Sequence, residues 1–259
     1  MRYQKHNSAK RTFEKIAKNK ECYYVIHYSC EAFIKDDGTS PRITSIAVRS
    51  LKSGQTNSFS IHKIAETKRI SFDQIASKYN ELELEMLKRF FAFLKENSKI
   101  NWVHWHMNDL NFGFQALEHR FEVLGGKPYK LDNENKIDLP RLLCDYYGSG
   151  YINNPGLKNL AELNKISLKD WLDGQKEPEA FSKKEYVKMH QSTLRKVNII
   201  ASIFERQIDG SLKTLSRWRN IYGFSFQGIF KYWKDHWWCC LISWAATLLI
   251  GGFIGWLIG

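Results

Sequence analysis

Residues 237–258, WWCCLISWAATLLIGGFIGWLI, hold no charged side chain across 22 positions. As a helix rising ~1.5 Å per residue, such a run spans ~33 Å, enough for a hydrocarbon core of ~30 Å. Nine of its residues are Leu, Ile or Phe, side chains that favour insertion. Trp237, Trp238 and Trp256 stand near its two ends, where amphipathic rings partition to the headgroup layer. The run predicts a single-pass transmembrane helix behind a folded body, the layout of a tail-anchored membrane protein whose N-terminal domain is cytoplasmic. A buried C-terminal core helix is the competing reading, but uncharged runs of this length are rare in soluble folds.

The formal net charge of +12 is unevenly placed. Residues 1–20 carry seven Lys or Arg against one Glu, and residues 210–236 carry five against one Asp. The stretch between them, 21–209, holds a net of only +2. Beside an apolar span, basic flanks fit the positive-inside rule and attraction to anionic headgroups, at about 1 kcal/mol per residue near the surface. Steering of nucleic acid is the alternative, and the nearly neutral body gives it no support. The chain therefore divides into a basic N-terminal arm (1–20), an α/β domain (21–209), a basic aromatic connector (210–236) and the span (237–258). Cys22, Cys30, Cys144, Cys239 and Cys240 form no CxxC pair, which fits free thiols in a reducing compartment.

Periodicity places the elements. Residues 1–20 have a minimal apolar stripe and read as a frayed basic helix or a disordered arm. CYYVIHYSCEAF, ITSIAVRSL and TNSFSIHKI read as three strands, the last two joined by the Lys52-Ser53-Gly54-Gln55 turn. Residues 73–97 have a helical apolar face, 99–107 read as a fourth strand, and 112–124 as a helix ending at Gly125-Gly126. Residues 127–136 read as a polar loop, 139–147 and 157–163 as helices, 167–181 as a loop, and 182–207 as a long amphipathic helix.

Four stretches in this order carry a resemblance. YYVIHYSCE at 23–31, VHWHMNDLNFGFQALEHR at 103–120, KIDLPRLLCDYYG with PGLKNLAELNKIS between 136 and 167, and EYVKMHQSTLRKVNIIASIFE at 185–205 resemble the DEDD-type (DnaQ-like) 3′–5′ exonuclease family. That resemblance implies an α/β fold with a ribonuclease-H-like mixed sheet, an antiparallel meander followed by alternating helices and strands. It also implies two divalent metals held by four carboxylates, which would activate water for phosphodiester cleavage. The positions matching that family's Asp-x-Glu read His27-Tyr28-Ser29. The second Asp position falls near Phe112 or Gly113, with Asp109 the nearest acid. The last falls on Arg195 or Lys196, where a cation repels a metal.

The body is thus expected to be a catalytically degenerate relative acting as a binding or scaffolding module, with no cofactor. Its binding surface would draw on His27, Ser29, His104, His106, Arg195 and Lys196. A second expectation is an active metal-dependent nuclease or other hydrolase with a rearranged site, its catalytic candidates Glu31, Asp109 and His190. Period-two spacing puts His27, Ser29 and Glu31 on one strand face and His104 with His106 on another, and imidazoles suit a divalent transition metal. The bland reading makes these histidines satisfied groups on half-buried strands and Asp109 and Asp138 helix caps. A third expectation is a membrane effector that forms a homo-oligomer through Gly251, Gly255 and Gly259, whose spacing lets two helices approach closely.

Overall fold

A computed structural model describes residues 2–32, 40–108 and 112–223, together with 244, 247 and 248. Apart from those last three, the anticipated span lies outside the described residues, as do Asp109 and the Gly251/Gly255/Gly259 face. Among those described, no helix is long and apolar enough to cross a membrane. Backbone contacts divide the chain into two compact units, residues 12–142 with 152–214, and residues 1–11, 143–151 and 215–259.

The larger unit is an α/β domain built on a five-stranded mixed sheet of order β3-β2-β1-β4-β5. Its strands are β1 (Tyr23–Cys30), β2 (Ile43–Ser50), β3 (Thr56–Ser60), β4 (Asn101–His104) and β5 (Lys136–Asp138). The first three form an antiparallel meander, while β4 runs parallel to β1 and β5 parallel to β4. The anticipated third strand continues to residue 64, but the structure ends it at Ser60. There the chain enters helix α2 (Ile61–Thr67), whose Ile61, Ile64 and Ala65 are buried at helical spacing. Strand β5 falls where a polar loop and a helix start were anticipated. It has three residues, too few for any period to register.

One sheet face is apolar. Ile26, Tyr28 and Cys30 of β1, Ile46 and Val48 of β2 and Trp102 of β4 pack against α2 and α3 (Tyr79–Glu96), with α4 (Phe114–Val123) beside them. Phe90, Leu82, Met86 and Leu87 of α3 are fully buried there, each worth roughly 1.5–3 kcal/mol relative to exposure. The same layer buries an ion pair. Glu83 accepts hydrogen bonds from Arg120 Nε (2.9 Å) and Nη2 (2.6 Å) and from the Ile43 backbone N–H (2.6 Å). It therefore ties α3 and α4 to the start of β2.

The opposite face carries α8 (Tyr186–Ile208), with α6 (Gly156–Leu163) and α7 (Lys176–Ser182). Helix α7 falls within the anticipated 167–181 loop. Its Pro178 occupies the first turn, where a missing N–H costs nothing, and Glu177 and Glu179 suit the positive end of the dipole.

The smaller unit gathers the first residues of α1 (Arg2–Lys18), the end of α5 (Leu139–Tyr147) and α9 (Trp218–Tyr222). The N-terminal segment is helical over its length, not a disordered arm. Arg2 closes the end of α5 by donating from Nη1 to Asp145 O (2.5 Å) and from Nη2 to Tyr146 O (2.8 Å). Its Nε donates to Asn220 O (2.6 Å). Gly148 sits at φ 94°, and a Cβ there would lie 2.4 Å from Asn220 O, so only glycine fits this turn.

Replacing Arg120 with Met strands the Glu83 carboxylate in the core. The expected loss is about 3–5 kcal/mol in urea unfolding, with much of it recovered when Glu83 is also changed to Leu.

Candidate functional site

Three parallel strands, β1, β4 and β5, end on one side of the sheet. The chain leaves β1 toward β2 and β3 on one flank and returns as β4 and β5 on the other. That reversal between β1 and β4 makes the crevice beyond their C-terminal ends the natural place for a ligand. The two strands pair only from Tyr23–Asn101 to Val25–Val103, so His27 and Ser29 stand beyond the last shared rung.

His27, Ser29 and Lys196 do come together, around a carboxylate the sequence did not single out. Ser29 donates to Glu177 Oε1 (3.0 Å), and Lys196 Nζ pairs with the same oxygen at 2.5 Å. Thr193 Oγ1 lies 2.8 Å from Ser29 Oγ and shares a hydrogen bond of 2.5 Å with Ser45. Thr44 donates to Ser29 O (3.0 Å) at the register shift between Ser29 and Cys30. The Lys196 ammonium also lies 5.0 Å from the Trp171 ring centroid, a cation–π distance.

Ser29, Ser45 and Thr193 are wholly buried, and Lys196 and Glu177 nearly so. A buried pair is better tolerated when further hydrogen bonds reach it, and Ser29 supplies one to Glu177. His27 lies beside this network, its ring 5.9 Å from that of Phe112. Burial, with the Lys196 charge, drives its pKa well below the ordinary histidine value. Its buried Nδ1 has no hydrogen-bond partner.

The other candidates are dispersed. Glu31 lies past the end of β1 and the register shift, not on the face of Ser29. It is tied to Arg42 by the backbone bond Glu31 N–H to Arg42 O (2.8 Å) and by Arg42 N–H to its carboxylate (3.4 Å). Arg195 turns to the 169–170 turn, donating to Lys169 O (2.8 Å) with Asp170 at 4.0 Å. His190 faces β3 and α2. Its Nε2 is 3.4 Å from Ser58 Oγ, and its ring is 5.1 Å from that of His62.

His104 and His106 do not share a face. The strand ends at His104, and His106 adopts a left-handed φ of 52° that turns its ring outward. His104 is fully buried and accepts the Met107 N–H at Nδ1 (3.2 Å). The neutral proton therefore resides on Nε2, which has no partner. His106 instead stands near Asp138, with Nδ1 3.9 Å from Oδ2. Asp138 also accepts Asn108 Nδ2 (2.7 Å) and the backbone N–H of Arg141, the latter as the cap of α5. Burial raises the Asp138 carboxyl, while His106 opposes the rise.

Among the described residues, no three His, Cys, Asp or Glu side chains are grouped to hold a metal ion. A surface cleft of about 520 Å³ runs along α4 between Gln115, Glu118, His119, Glu122 and Lys130, and shares none of the crevice residues. The described elements define an α/β domain with a mixed sheet. Comparison of the chain with family models, characterised proteins and solved structures returned no match.

Glu177 and His62 escaped the sequence reading. Glu177 lies 148 residues from Ser29, and only the fold makes them neighbours. His62 stood in what read as a strand, facing no partner.

Burial also sets a pH response. His104 and His190 are held down to about 3, in each case first by burial. Unfolding releases them toward the ordinary value of ~6.5. The unfolded chain then binds more protons between these limits, so stability is full above ~6.5 and falls as pH drops toward 3. Urea midpoints are expected to lose about 2 kcal/mol per histidine between pH 7 and 5, and His190→Gln should flatten that slope.

Proposed function

We propose that this chain is a membrane-anchored binding or scaffolding module whose body is a catalytically degenerate, exonuclease-like α/β domain. The observation that carries this reading is the direct Lys196–Glu177 pair, whose shared carboxylate oxygen also accepts the Ser29 hydroxyl. In the resemblance, Ser29 stands at a metal-carboxylate position, and another falls on Arg195 or Lys196. A hydroxyl stands at Ser29 in place of an acid, the hydroxyls of Thr193 and Ser45 extend from it, and an ammonium already holds Glu177. Such a donor set does not suit a hard divalent cation, which requires several free carboxylate or carbonyl oxygens. The sheet order, with a meander followed by two parallel strands, supports the ribonuclease-H-like reading of the fold. The uncharged run 237–258 supports the anchor.

The test is metal binding and phosphodiester cleavage by the purified full chain. We expect neither Mn²⁺ binding by electron paramagnetic resonance nor cleavage of single-stranded substrates with Mg²⁺ or Mn²⁺. Lys196→Asp, which places a second carboxylate beside Glu177, should confer measurable Mn²⁺ binding. Wild-type cleavage that vanishes in Glu177→Gln would sink the proposal.

A second reading rests on Asp138 with His106 and Asn108 at the ends of β4 and β5. A half-buried carboxyl beside an exposed imidazole is a workable acid–base pair for a hydrolase. Activity abolished by Asp138→Asn but retained in Lys196→Asp would favour it. The capping of α5 accounts for Asp138 without catalysis, which is why it ranks second.

A further inference from the structure

The smaller unit has a one-signed surface. Its described residues include Arg2, Lys5, Lys10, Arg11, Arg217 and Arg219 against a single acid, Asp145. Arg2 is committed to the carbonyls of α5 and α9, and Asp145 is only partly exposed. The five remaining basic residues are all exposed, and in the same unit Leu215 and Trp218 are 47% and 41% exposed.

The arrangement is fixed rather than incidental. Arg2 bonds to both helix ends, His6 Nδ1 bonds to Tyr146 O (2.7 Å), and the His6 ring lies 4.5 Å from Tyr146 and 5.5 Å from Tyr222. Leu215 donates its backbone N–H to Tyr151 O (2.9 Å). The first helix is thereby held to the segment that leads into the basic connector and the apolar run.

We propose that this face of the smaller unit docks on an anionic lipid surface, with Trp218 and Leu215 entering the headgroup layer and Lys5, Lys10, Arg11, Arg217 and Arg219 pairing with lipid phosphates. The inference rests on the anchored reading above, since residue 223 stands only 14 positions before the apolar run. Two features select lipid over nucleic acid. Exposed Trp and Leu suit the interface, and Arg217 and Arg219 shortly precede the uncharged run 237–258 in the sequence. Each basic side chain near an anionic surface is worth about 1 kcal/mol, roughly fivefold in binding.

Hydrogen exchange on the full chain in lipid nanodiscs tests the proposal. Retention of the chain on the disc after alkaline carbonate treatment reports the anchor by itself, so loss there overturns the anchored reading and not only the docking. In retained samples, amides of 2–11 and 215–223 should exchange at least tenfold more slowly in phosphatidylglycerol-containing discs than in neutral phosphatidylcholine discs. High salt should remove the difference, as should the variant Arg217→Glu/Arg219→Glu. A second variant, Lys5→Glu/Lys10→Glu, guards against local misfolding, with unchanged exchange in β1 and β2 showing that the body is intact. Equal exchange in the two lipids overturns the docking. So does slowing that appears only when single-stranded RNA is added to neutral discs, which would make nucleic acid the partner.

Discussion

The packing of α8 depends on burying Lys196 and Glu177 together. Helix α8 is the one long element on the second face of the sheet, and its contact strip is part apolar, through Val197, Ile200 and Ile203, and part ionic. An ammonium taken from water alone would cost several kcal/mol. Glu177 offsets that cost only because α7 brings it under the sheet, and α7 is positioned by the backbone bonds that follow Asp173. Ser29 then adds a hydrogen bond to Glu177, and Thr193 and Ser45 continue the chain of hydroxyls from it. The network therefore couples β1, β2, α7 and α8, elements far apart in the chain. No apolar contact could specify that register as narrowly, because hydroxyl chains tolerate little misplacement.

The same network explains what the sequence could and could not disclose. The β1–β2–β3 meander, the α3 stripe and the α8 stripe were legible because each rests on local periodicity, and their burial follows it closely. Strand β5 was not, since three residues carry no period and its place is set by pairing with β4. Helix α7 was hidden by Gly174 and Pro178, which read as breakers although Pro178 merely opens the helix. At the site, His27, Ser29 and Lys196 were singled out as candidates, whereas their common neighbour Glu177 is brought to them only by the fold. Glu31 failed because the period-two argument assumes an uninterrupted strand, and the shift at Ser29/Cys30 together with the strand end cancels it. His106 failed for a related reason, its left-handed backbone ending the alternation that would align it with His104.

Buried imidazoles here are structural in effect. His27, His104 and His190 each keep a ring nitrogen without a partner, a state that is bearable only for neutral rings. Each is kept neutral by burial, and each stands near a basic group or another histidine. Such positions commonly mark active sites. In this fold they are dispersed over separate neighbourhoods, so no two of the three act on one atom. What converges near the end of β1 is instead the buried Lys196–Glu177 pair with the Ser29 hydroxyl.

Charge segregation follows from the same economy. A body whose interior ions are paired internally has little field left to steer a polyanion, and residues 21–209 carry a net of only +2. Most of the net positive excess lies in residues 1–20 and 210–236, and Arg2 and His6 join the first helix to α9. A chain that needed long-range attraction at its crevice would place cations around His27 and Phe112. This chain places them beside the segment that precedes its uncharged run. In the sequence, most of the net positive charge therefore falls outside residues 21–209, part of it next to the uncharged run.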